Sequence, residues 1–230
     1  HHWCTTSPAG RALLSSVSGL GATGGTHVQP QGSPVETKVA WRRFWVAVQV
    51  LRKLFLHEGG AAFHIDAHNS ALGAISFEER LSLRDEREKL IRLGGDAVPG
   101  LVGCINWHDK EWASWIVSPI DKRRLRELAG LADPGSTMDP DDEAASDERL
   151  FTIAIYELLC LLALIGDRVK RNPDAWRGRQ ILYVSDSMNV LSWVNKRKPR
   201  NCLAIFIVAT LCLMELRGAF SIHVEHASTK

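Results

Sequence analysis

Three acids stand where the surrounding sequence should carry no charge. Asp186 directly follows the β-branched run 181–185 and precedes an amphipathic stretch at 187–196, which puts it at the carboxyl end of a strand. In open α/β sheets that edge faces a crevice, where ligands and catalytic groups collect. Glu157 lies near the middle of an apolar helical run, and Asp66 closes a short strand candidate at 61–66. A lone buried carboxylate is costly, and three like charges brought together repel one another. A divalent cation removes both objections. Oxygen-only ligands suit Mg²⁺ or Mn²⁺, and two such ions about 3.5–4 Å apart can hold the attacking water and the leaving oxygen of a phosphodiester. Taken singly, each acid also has an ordinary reading: Asp66 caps a turn, Glu157 pairs with an arginine, Asp186 caps the helix after it. The order strand, helix, strand gives the three together their weight.

The elements that must position these acids are read from periodicity. Residues 1–38 are rich in Gly, Ser, Thr and Pro, a composition that predicts a flexible leader. Helical spacing of Phe44, Val48, Leu51 and Phe55 predicts a helix within 39–57, and residues 39–60 are assigned as a helical connection from a preceding domain. Strands at 61–66 and 73–77 make a hairpin, and 78–99 is charged and helix-prone up to the break at Pro99-Gly100. Further strands are expected at 101–107 and 112–117, then an acidic surface insertion at about 118–147. After it come a buried helix at 148–168, a strand at 181–185, helices at 187–196 and 201–217, and a last strand at 220–225. The expectation is an α/β domain over 61–230, a mixed sheet with helices packed on it.

Composition narrows the class. With 230 residues, 45% hydrophobic and 23% charged, the chain can bury a substantial core. A net charge of +2 and a pI near 8.4 exclude a strongly basic nucleic-acid arm, so any basic surface is local. The five cysteines form no Cys-x-x-Cys pair and read as core residues of a reducing, intracellular compartment, cytoplasmic or nuclear. The apolar runs 151–165 and 202–216, at about 15 residues each, fall short of the roughly 20 needed to cross a bilayer. No secretory signal opens the chain, and the absence of an initiating Met points to a piece of something longer.

The motifs resemble those of the ribonuclease H domain that follows the reverse transcriptase in retroelements, most closely DIRS-type retrotransposons. That family's first strand carries Asp-Ala-Ser-x-x-Gly-Trp-Gly-Ala. Asp66-Ala67 and Gly73-Ala74 keep its spacing, while His68, Ala71 and Leu72 depart from it. Its Glu-Leu-x-Ala helix is similar to Glu157-Leu-Leu-Cys160, and its Asp-Asn-x₅-Trp-x-Asn-Lys is matched by Asp186, Trp193, Asn195 and Lys196, with Ser187 in place of Asn. Glu225-His226 resembles the family's closing Val-His. The resemblance covers about residues 61–230.

The resemblance implies a ribonuclease H-like five-stranded mixed sheet flanked by helices, with the last helix, bearing a fourth carboxylate, missing beyond Lys230. It implies that Asp66, Glu157 and Asp186 are catalytic metal ligands for Mg²⁺ or Mn²⁺, two ions in all, and that His226 relays a proton. The activity implied is cleavage of the RNA strand of an RNA–DNA hybrid, with an upstream reverse transcriptase in the same polyprotein as partner and no membrane. Lys196, Arg197, Lys198 and Arg200 follow the Asp186 helix and would track phosphates without reading bases. The alternative for that run is a solvated helix end favoured by the dipole. Trp193 reads as core beside Val190 and Val194. Two other readings stay open: a catalytically inactive remnant serving as scaffold or nucleic-acid tether, and a different metal nuclease or integrase on the same fold.

Overall fold

Ile91 and Leu93 are buried while Arg92, Asp96 and Val98 are exposed, the two-residue alternation of a strand that covers a core on one face. This strand, β1 (Leu90–Val98), lies in a segment whose charge predicts helix. The adjacent Gly94-Gly95 pair disfavours a helix and suits a strand approached closely from both sides. The computed structural model describes residues 45–46, 48–49, 90–131, 149–172, 174–218 and 220–227. The predicted hairpin at 61–77, with Asp66, lies outside these residues. Trp45, Val46, Val48 and Gln49 are helical, in line with the helix expected there.

β1 turns into β2 (Leu101–Asn106) through Pro99 and Gly100, and Gly100 holds φ 81, a value that glycine tolerates best. Val98 and Leu101 face each other across this hairpin. β2 pairs antiparallel with β3 (Glu111–Ile116). Asn106 shapes the second turn: its Oδ1 accepts from the amides of His108 and Asp109, and its Nδ2 donates to Asp109. β4 (Gln180–Ser185) lies parallel to β1 on the other side, and β5 (Ser221–His226) lies parallel to β4. The result is a five-stranded mixed sheet in the order β3-β2-β1-β4-β5.

The surface insertion begins with a helix where its polar, acidic composition predicts loop. α1 (Pro119–Ala129) has a complete capping box between Ser118 and Asp121, Pro119 in its first turn, and Gly130 in the left-handed conformation at its end. α2 (Ile153–Arg171) starts later than expected because Thr152 keeps an extended backbone, with its carbonyl accepting from Ile155 and Tyr156. α3 (Met188–Lys196) and α4 (Cys202–Gly218) match their predicted spans within a residue or so.

The described residues divide into two compact units, one holding α1 and the first half of α4, the other the sheet, α2, α3 and the rest of α4. In the sheet unit, α2 packs on β1 and β2, with Ile155, Leu158, Leu161 and Ile165 among its buried residues, and α3 packs on β5. Two side chains finish β5. Glu215 on α4 accepts from the Ile222 amide at 2.6 Å, and Asn195 on α3 both donates to and accepts from the Val224 backbone at 2.8 and 2.9 Å. The four described cysteines are free thiols. No helix among the described residues is long and apolar enough to cross a membrane.

Candidate carboxylate site

The parallel pairing of β1 with β4 sets the site. Gly94 faces Val184 in that ladder, so two residues further along each strand come Asp96 and Asp186. β5 adds His226 opposite Ser185, and the Ala227 amide donates to the Ser185 carbonyl at 3.0 Å. Asp96, Asp186 and His226 therefore sit at the carboxyl ends of three adjoining strands, the edge where an open sheet presents its ligand-binding groups.

Glu157 reaches this edge from α2. Gly95 makes the approach close: a Cβ there would collide with the Tyr183 hydroxyl and come within 2.7 Å of Cys160 Cβ. Tyr183, fully buried, donates to the Glu157 carbonyl at 3.0 Å, and the Cys160 thiol donates to the Asp96 carbonyl at 3.6 Å. One turn of α2 is thus fastened to both central strands. The Glu157 side chain is only 3% exposed, and its Oε2 accepts from the Ser185 hydroxyl at 2.5 Å. Burial raises its carboxyl above the ordinary value, the Ser185 bond opposes that rise, and the charges of Asp186 and Asp96 add to it. Burial pushes the Cys160 thiol up to about 12, so it acts as packing and not as a nucleophile.

These contacts revise the ordinary readings of the acids. Glu157 is held by a serine hydroxyl, not by an arginine. Ser187 caps α3, its hydroxyl accepting from Val190 and its carbonyl from Leu191, which frees Asp186 from that duty. Strand alternation puts Gly95 and Ser185 on the face covered by α2, and Asp96 on the opposite face. There a cavity of about 510 Å³ is bordered by Asp96 and Asp186 at one end and by Trp107 and Trp112 at the other. Glu157 comes to the strand ends from the helix side, and among the described residues no three His, Cys, Asp or Glu side chains close around one point. The donor types still fit a hard divalent cation: carboxylate oxygens from two strands and a helix, one of them buried and destabilised by its like-charged neighbours.

Of the residues singled out from sequence, Glu157 and Asp186 lie near enough for their charges to interact, His226 sits opposite Ser185 on the neighbouring strand, and Asp66 lies outside the described residues. Asp96 is the acid that sequence reasoning misses. A signal for it exists, for Asp96-Ala97 and Gly103-Cys104 repeat the spacing of Asp66-Ala67 and Gly73-Ala74, but the charged stretch before it masks the strand. In the basic run, Lys196, Lys198 and Arg200 are exposed, whereas Arg197 takes φ 55 and is buried. Trp193 is half-buried, as a residue of the α3 packing face. Comparison of the chain with protein-family models, with curated proteins and with solved structures gives no match.

Proposed function

We propose that the chain carries a ribonuclease H-like domain that hydrolyses the RNA strand of RNA–DNA hybrids, using Asp96, Glu157 and Asp186 as its carboxylates. The observation that carries this reading is that an acid from β1, an acid from the end of β4 and a buried glutamate from α2 lie near enough for the charges of the two aspartates to act on the glutamate. The sheet order, an antiparallel three-stranded meander extended by two parallel strands, is compatible with that fold. Asp96 takes the part that the motif resemblance gives to Asp66, because its strand adjoins β4. A Mg²⁺ or Mn²⁺ ion, when bound, supplies Lewis-acid polarisation of the phosphate and acidifies a coordinated water. Asp96 and Asp186 would hold it from the strand ends, with Glu157 as the third donor, and His226, at the end of the adjoining strand, would accept a proton. Exposed Lys196, Lys198 and Arg200 are the candidates for phosphate contacts, and a wide A-form minor groove with its 2′-hydroxyls would mark the RNA strand. In this reading a reverse transcriptase domain of the same polyprotein makes the hybrid.

The test is hybrid cleavage by the 230-residue chain with and without Mg²⁺ or Mn²⁺. Asp96→Asn and Asp186→Asn should each reduce cation-dependent cleavage to background, while Asp66→Asn should leave it intact. Loss with Asp66→Asn and none with Asp96→Asn would return the first-strand role to Asp66. A second reading, a hybrid-binding domain that does not cut, is favoured by the acids approaching without closing. Tight hybrid binding with no cleavage under either cation would establish it.

A further inference from the structure

The turn from β4 into α3 is organised by one hydroxyl. Ser185 is 2% exposed, and its Oγ donates to Glu157 Oε2 at 2.5 Å while accepting from the Ser187 amide at 3.1 Å. The proton is thereby committed to the glutamate and a lone pair to the backbone, so the hydroxyl has one orientation. Charge-assisted hydrogen bonds of this length are among the stronger ones, and they hold geometry as well as contributing energy. The neighbouring Tyr183 fixes the backbone of the same α2 turn through the Glu157 carbonyl. Tyr183 therefore sets where the helix sits, and Ser185 sets where the carboxylate at the end of a flexible side chain points.

We infer that Ser185 is a positioning residue of the carboxylate site: its hydroxyl locks Glu157 to the strand end that also carries Asp186, so that the two acids keep a fixed separation. The inference rests on the reading of this site as a cation-binding centre. A serine retained only for packing would affect the stability of the fold and leave the cation affinity of the folded protein unchanged. A positioning serine would change that affinity, since losing the partner that orients a metal-binding carboxylate typically weakens binding about 10–100-fold.

The experiment is Mn²⁺ binding to the whole chain, followed by electron paramagnetic resonance under conditions where every variant is shown to be folded. Ser185→Ala should weaken Mn²⁺ binding at least about tenfold, Ser185→Thr should restore it by keeping the hydroxyl, and Ser185→Ala added to Glu157→Gln should cause no further loss. Ser185→Cys, close in volume but a weak donor, replaces the alanine variant if that one does not fold. Wild-type affinity in Ser185→Ala, or failure of threonine to rescue, overturns the positioning role and leaves the carboxylate site standing. A wild-type chain that retains no Mn²⁺ overturns the site and this inference together.

Discussion

Glu157 carries the electrostatic load of the site. Its raised carboxyl, caused first by burial and then by Asp186 and Asp96, has a consequence for folding that is independent of catalysis. As pH climbs from the ordinary glutamate value of 4.5, the unfolded chain releases this proton before the folded chain does. The folded state then binds more protons than the unfolded one, so this group's contribution to stability declines until the folded carboxyl also ionises. Glu157→Gln should therefore flatten that decline and raise the thermal midpoint near neutral pH in a cation-free buffer. Calorimetric scans at stepped pH would show it, and identical pH profiles for the two proteins would rule it out. The anomaly is legible from sequence, because a single acid in an apolar helical run stands out. Its partner is not, since Ser185 is an ordinary residue before an aspartate and only the reach of Glu157 from α2 to the end of β4 gives its hydroxyl a role.

Helix α2 and strand β1 meet closely because Gly95 has no side chain. Gly95→Ala puts a methyl group against Cys160 and the Tyr183 hydroxyl, neither of which is free to move while both bond to backbone carbonyls. Overpacking of this kind costs about 1–3 kcal/mol. The expected outcome is that loss of stability in urea unfolding, together with weaker Mn²⁺ binding as Glu157 is carried away from the strand ends; an unchanged unfolding midpoint would show that the helix yields without penalty. Most elements can be read from the chain. β2, β3, β4 and β5 alternate or run apolar between clear breaks, and α2 and α4 are too apolar to be anything but buried. Two cannot, for different reasons. β1 follows a charged stretch, and its strand character depends on partners that arrive from elsewhere in the sequence. α1 has its capping box and Pro-Gly punctuation in plain view, but the acidic residues after it make the whole segment look like loop. Asn195 belongs with the elements as well. In the sequence it is one letter of a motif; in the fold it is the side chain that completes the hydrogen bonds of Val224 on β5.

At the scale of the molecule, with a net charge of +2, the nucleic-acid binding proposed above would rest on local clusters. The exposed members of the basic run are Lys196, Lys198 and Arg200, and neutralising them should lower the slope of log affinity against log salt by about 0.7–0.9 for each phosphate that no longer has a cation beside it. Arg197→Ala should leave that slope alone and lower stability instead, because Arg197 is buried. Filter binding of a hybrid across a salt series separates the two outcomes. The topology of the sheet has a further effect on how the protein is made. β1, β2 and β3 are contiguous and can zip together as soon as they are synthesised, but β1 acquires its second neighbour only when β4 follows, after α1 and α2. Until then the strand destined for the middle of the sheet is an open border, with unpaired amides and carbonyls ready to accept any passing strand. Asp96 and the Gly94-Gly95 pair lie on that border. The negative charge and the poor strand propensity of glycine make it an unattractive template, so the residues of the candidate site also guard the nascent chain.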